Sequence, residues 1–398
     1  MAENNRKGFR TVTDSDTEEY RKKLREHRLK VMRRTTIAVL IVFLIGAGVG
    51  LFTALRHYEN YDIRSSVERS DTEATRFAEF CGNILKYSND GAFYTDEQNE
   101  LIWNQTYEMS DPQIDICKDY LVIYDKKGTH IYIMNKSGQQ GSIETTMEID
   151  QVCVASQGTV AVLMQKDHIA YLALYDRSGK NLAQGGIHGE KGGYPIAIAL
   201  SHDAIKLAVS MLDINDGSVK STIAFYNFGS VGQNEIDNCV GVSTYSDIVI
   251  PELEFISNDR MVAFGDSEVM IFEGTQKPQL KTEIPLEKEV DSIFYNENYF
   301  GVVTDNEDET ASNHLAVYSM AGSKVSENDI AAEYRNIEFM SNNEVCILDD
   351  NICDIYTIRG IYKFHHEFDG EIYKVIPGAS GLNYTLVLSD ATERVRLK

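Results

Sequence analysis

The chain has 398 residues, 43% of them hydrophobic, which is enough for a large core, and its six cysteines form no CxxC pair and are too sparse for a disulfide framework. Its 61 acidic residues outnumber 38 basic ones for a net charge of −23, which excludes nucleic acid as a partner because phosphate needs a basic footprint. The charge is uneven: residues 1–34 hold 11 Lys/Arg and 6 Asp/Glu, so the acidic excess lies wholly beyond them.

From Asp14 to Arg34 acidic residues open and basic residues close a helical stretch, as the helix dipole prefers. Tyr20, Leu24 and Val31 make only a thin apolar stripe, so the segment reads as a charged juxtamembrane helix within a basic tail, 1–34. Thr35 to Leu55, "TTIAVLIVFLIGAGVGLFTAL", then runs 21 residues without a charge, bounded by Arg33, Arg34 and Arg56. That length crosses a hydrocarbon core, and "TALRHY" at its end is a weak cleavage site for a signal peptide. The expectation is a retained single-pass anchor. The basic flank keeps the N-terminus cytoplasmic and sends the rest outside, across the cell membrane of a bacterium. Residues 56–79 are polar and read as a stalk.

From residue 80 onward the chain repeats itself. "YIMNKSG" (132–138) returns as "LALYDRSG" (172–179), a strand entering a Gly turn. One unit, 112–146, offers four strands at Ile114–Cys117, Tyr120–Tyr124, His130–Asn135 and Gly141–Thr145. A second occupies 149–184. The third strand recurs at 222–229, 268–274, 315–322 and 354–360. Cys117 and Cys153 fall at matching places on successive first strands. Four short strands per roughly 40 residues is the signature of a propeller blade. A β-helix has a shorter period, and a sandwich has no repeat. The fold class is therefore an all-β propeller over 80–398. Its two ends give three strands each, which favours eight blades, two of them incomplete, over seven with an extra strand pair.

The chemistry is sparse. GxSxG, HExxH, P-loop and GxGxxG motifs are missing, so no catalytic residue is assigned. "DINDGSVKS" (213–221) resembles a calcium loop, but its Gly comes one place late and no Glu closes it. Asp213, Asn215 and Asp216 are thus weak metal candidates. His365 and His366 are strand neighbours facing opposite ways and cannot easily share a metal. In "EVCILDDNICDIY" a turn at Asp349–Asp350 would set Cys346 opposite Cys353 and allow a disulfide. In a propeller, inter-blade loops and second-to-third-strand loops share one face. His188, Glu190, Lys191, Tyr194, Asp213, Asp216, Asp305, Glu307 and Asp308 would therefore line one acidic mouth, suited to calcium or a cationic partner, or simply to solubility.

"GGYP", "ALSHD", "FYNFGSVGQNE", the early "GNILKYSNDGAFYTDEQNELIWNQTYEM" and the terminal "RLK" carry a resemblance over roughly 60–398. The chain resembles a family of membrane-anchored propellers of unknown function from anaerobic Gram-positive bacteria, similar to quinoprotein-like and WD40-like propellers. "SHDA" departs from the usual "SPDG" of that family. The resemblance implies fold and topology but no activity. A quinone site needs an aromatic floor, and the single Trp103 lies on an outer strand, so no cofactor is expected. The functional expectation is a non-enzymatic docking platform at the bacterial surface, with an envelope protein as partner. The alternative is a small-molecule receptor or quinoprotein-like enzyme using the central channel.

Overall fold

The computed structural model describes residues 14–398 except 70, 73, 97, 168, 188–192, 216, 287, 306–312 and 331–332. It divides into two compact units, 1–56 and 57–398. In the first, the two expected helical segments are one continuous helix, Asp14–Leu55. Its span Arg21–Gly48 is long and apolar enough to cross a membrane, with a mean hydropathy of 1.7 over an 18-residue window. Val42 and Phe43 are 71% and 72% exposed, a surface that suits hydrocarbon. The polar Thr35 and Thr36 are accommodated because both hydroxyls donate to the Met32 carbonyl at 2.8 Å.

The second unit is an eight-bladed β-propeller of four-stranded antiparallel sheets. Blades 1 to 7 run in chain order over 76–106, 112–144, 148–187, 194–246, 252–285, 290–330 and 336–367. Blade 8 takes Ile372–Pro377, Asn383–Leu388 and Ala391–Leu397, and its outer strand is Tyr61–Glu68. Middle strands such as Tyr120–Asp125 and Val160–Lys166 are buried along most of their length, because each blade packs both faces on its neighbours. The core between blades 2 and 3 shows it: Val122, Ile131 and Ile133 meet Val152, Val160 and Val162. The repeated turn has a shared cause. Asn135 and Asp176 each accept the N–H two residues on through the side-chain oxygen, at 2.8 and 2.9 Å. Gly138 and Gly179 then take positive φ, 107° and 84°.

Three sequence expectations are corrected. The supposed stalk is part of the propeller: Tyr61–Glu68 pairs with Ala391–Leu397, and Arg76–Phe80 is the inner strand of blade 1. An outer strand needs no apolar run, so its polar sequence looks like linker. Neither terminal blade is incomplete, since the N-terminal strand completes blade 8 and removes its open edge. Finally, Cys346 lies opposite Ile355 and Cys353 opposite Leu348. The turn falls later than expected, so the two cysteines are offset diagonally. Both are buried free thiols. Their side chains still meet: a hydrogen bond with Cys353, together with burial, holds the Cys346 thiol well above its usual range.

Ring closure extends upstream of the strand. Tyr58 N–H donates to Lys363 O at 2.8 Å, and His365 N–H donates to Tyr58 O at 3.1 Å, a parallel addition to the outer edge of blade 7. Tyr58 is 3% exposed and joins the core of blades 7 and 8. Downstream, the Arg69 guanidinium bonds Asp71 at 2.9 Å and lies 4.5 Å from the Phe77 ring centre and 5.1 Å from that of Tyr373. The chain thus enters the propeller at the seam of blades 7 and 8.

Candidate functional site at the channel and the rim

Antiparallel blades place the turns between strands one and two on one face, and the inter-blade connections with the turns between strands two and three on the other. The sequence-expected mouth belongs to the second face. His188, Glu190, Lys191, Asp216, Glu307 and Asp308 lie outside the described residues. Tyr194 pairs with Leu212, so it sits beside Asp213 at one end of blade 4. Asn215 Nδ2 donates to Asp213 Oδ1 at 2.6 Å, a local contact within that hairpin. Asp305 ends a strand two blades away, where its carbonyl accepts from Lys288 Nζ at 3.0 Å. Among the described residues, no three His, Cys, Asp or Glu side chains converge on a metal position. His365 Nδ1 meets Asp354 at 2.7 Å while His366 Nδ1 meets the Glu59 carbonyl at 2.8 Å, so the two histidines have separate partners.

The interior wall carries a set of carboxyls from the inner strands. Asp115 Oδ2 accepts the Val154 N–H at 2.6 Å, capping the inner strand of the next blade. Gln151 does the same one blade on, accepting from Ile198 N at 2.8 Å. Glu254 accepts from the Tyr295 hydroxyl at 3.4 Å, and Glu338 binds Lys374 Nζ through both oxygens at 2.7 and 2.5 Å. These bonds tie neighbouring blades together across the channel wall. Burial pushes the Asp115 carboxyl up to about 6 and lifts Glu79, Glu252 and especially Glu254 above the usual carboxylate range. Asp115 and Glu254 nevertheless keep some accessible surface, as inner-strand groups facing the centre of the ring do.

On the first face the channel is obstructed. Lys118, in the turn of blade 2, pairs with Glu297, in the turn of blade 6. Cys81 Sγ approaches the Lys118 carbonyl at 3.3 Å, and Lys136 holds Asp119 at 2.7 Å. Around the same mouth, Ser156 Oγ donates to His202 O at 2.6 Å and Asn296 Nδ2 donates to Asn343 Oδ1 at 2.9 Å. Beside this belt a pocket of about 520 Å³ opens between blades 7, 8 and 1, lined by Glu79, Cys81, Glu338, Ser341 and Lys374.

A larger apolar recess, about 750 Å³, lies on the rim between blades 3 and 4. Its origin is local. The outer strand Asn181–Ile187 sets Ala183 opposite Leu174 and Gly185 opposite Leu172. A Cβ on Gly185 would meet nothing within 4 Å. Two small residues where bulk is needed leave the blades unfilled. Met211, Ala224, Tyr226 and Phe228 form the facing wall, and Val242 beside them is 60% exposed.

The model of a family of unknown function (DUF5711) matches residues 54–397. The chain belongs to that family. No curated protein matches the sequence. Among solved structures, the chain is similar to Sqt1 of Saccharomyces cerevisiae, with TM-score 0.51, 10% identity, and coverage of 86% of this chain and 100% of that one. It is also similar to a eukaryotic initiation factor, with TM-score 0.50, 11% identity, and coverage of 85% and 87%. BamB from Moraxella catarrhalis gives TM-score 0.48 at 12% identity, covering 85% and 100%. At such identities the likeness shows the fold alone. The DUF5711 match begins ahead of Tyr61, so the family unit includes the N-terminal strand that closes the ring.

Two motifs of this DUF5711 chain prove structural. In "FYNFGSVGQNE" the buried Asn227 accepts from Gly229 N at 2.8 Å and donates to Gln276 O of blade 5 at 2.8 Å. A Cβ on Gly232 would fall 1.6 Å from the Asn227 carbonyl oxygen, so only glycine fits. In "SHDA" Ala204 takes φ 56°, the left-handed position where the usual motif has Gly. The interior carboxyls went unnoticed in sequence, yet they leave a signal. A lone acid sits inside an apolar inner strand at blade period: "FAEF", "IDIC", "LEF" and "IEF" hold Glu79, Asp115, Glu254 and Glu338.

Proposed function

We propose that this DUF5711 protein is a membrane-anchored docking platform, its propeller outside the cytoplasm of a bacterial cell and without chemistry of its own. The observation that carries the reading is the rim recess between blades 3 and 4. It is apolar, built by Ala183 and Gly185, and bordered by the exposed Val242. Such a recess accepts an aliphatic or aromatic anchor of a protein partner, the kind of contact that dominates interface energies. The anchor helix and its basic flank support the topology. A single envelope partner presented near the membrane fits this arrangement. The second reading, a small-molecule receptor, rests on the 520 Å³ pocket with Glu79, Glu338 and Lys374 at its wall.

Crosslinking of the full-length, membrane-embedded protein tests both. The expected result is one reproducible envelope partner whose capture falls at least about tenfold in Gly185→Val or Val242→Asp. Retention in those variants, with loss when Tyr194 and Asp213 are replaced, would move docking to the sequence-expected mouth. Capture of no partner would sink the platform and leave the receptor.

A further inference from the structure

The Lys118–Glu297 pair joins blades 2 and 6, four apart, the largest separation that a ring of eight allows. Ordinary inter-blade bonds here link neighbours, as Asp115 to Val154 and Ser156 to His202 do. A pair across the diameter adds little to blade packing; it spans the opening. Its side chains are 48% and 55% exposed. A pair this wet contributes little to stability and weakens as salt screens it. What lies beside it is different in kind: Cys117, 8% exposed, directly precedes Lys118 at the edge of the core between blades 2 and 3, within electrostatic reach of the inner-strand carboxyls Asp115 and Glu254 and of Glu297 itself. A bond too weak to hold the ring, placed across the entrance to a charged interior, is suited to opening.

We propose that Lys118 and Glu297 form a salt-sensitive latch over the first-face mouth of the channel. Closed, the latch and its flanking belt of Cys81, His202 and Asn296 turns restrict entry toward the inner strands. Open, each charge is solvated separately and the mouth is continuous with the pocket between blades 7, 8 and 1. The latch moves two long side chains and requires no blade to shift. It stands apart from the rim docking reading, because it concerns the channel alone.

The test is the rate at which Cys117 of the intact, detergent-solubilised protein reacts with a small methanethiosulfonate reagent, resolved by site through mass spectrometry. Raising salt from about 0.01 M to about 1 M cuts the screening length from about 30 Å to about 3 Å. The expected result is a rise in Cys117 rate of up to about fivefold, the shift that loss of an exposed ion pair permits. Lys118→Ala and Glu297→Ala each react at the fast rate in low salt and lose the salt response. The exchanged pair, Lys118→Glu with Glu297→Lys, restores the slow, salt-sensitive rate. Buried Cys346 and Cys353 stay unreactive throughout. Single variants that keep the parent rate and salt response would overturn the latch. So would single variants in which Cys346 and Cys353 speed up together with Cys117, because the pair would then be holding the fold.

Discussion

The seam of blades 7 and 8 and the rim of blades 3 and 4 lie half a turn apart on the same ring, and they treat the outer edge in opposite ways. At the seam, a strand from more than 300 residues upstream pairs with the C-terminal strand, and Tyr58 adds to the next blade as well. Bulky groups fill the gap: Tyr58, Phe364 and Phe368 pack in its core, and the chain then runs on to lay Arg69 over Phe77 and Tyr373 at the next seam, between blades 8 and 1. At the rim, strand four is supplied locally and brings Ala183 and Gly185, so the gap stays open. A propeller must close its ring once, and there edge bonding and packing concentrate. Elsewhere a blade's outer strand carries little of the fold, so its surface is available for recognition.

Truncation tests the comparison hardest. A chain beginning at Asp71 lacks Tyr58 and the strand Tyr61–Glu68, and leaves Ala391–Leu397 as a bare edge. It should lose stability on the order of 5 kcal/mol or more and aggregate, while a chain beginning at His57 should melt like the propeller of the full protein. Equal melting of the two by calorimetry would show that the seam strand is ornamental. Next in size is Tyr58→Ala. Removing this buried ring should cost about 3–5 kcal/mol in denaturant unfolding, although Tyr58 lies outside the repeat. A cost near zero would mean that closure begins only at Tyr61. The smallest effect belongs to the rim. Gly185→Val adds bulk where nothing stands within 4 Å, so stability should move by no more than about 0.5 kcal/mol even as partner capture falls. A large destabilisation there would mean that the recess closes in solution.

The blade was legible because it is local. The predicted strands of 112–146 match Pro112–Cys117, Tyr120–Asp125, His130–Asn135 and Gly138–Glu144 to within a few residues. Every third strand read from the recurrence is the third strand of its blade. The seam was illegible because Tyr61–Glu68 is polar and exposed, and its partner lies at the other end of the chain. The Cys346 register failed by two residues because turn length, which no period constrains, sets which residues face each other.

The candidate sites divide the same way. The sequence pointed to acidic and glycine-rich runs, because charge and glycine are local signals; of the residues so named, Tyr194, Asp213 and Asp305 lie in strands. It could not show that Lys118 meets Glu297, that Asp115 caps the next blade, or that Ala183 and Gly185 leave a recess. Each depends on which blade stands opposite or alongside. Taken by itself, then, the sequence determined the apolar helix, the four-strand unit, the turn chemistry and the acidic exterior, because all of these are set by residues near in the chain. Only the tertiary structure decided the blade count, the completed eighth blade, the acidic channel wall and the open rim. Those follow from ring closure, which is a property of the whole chain.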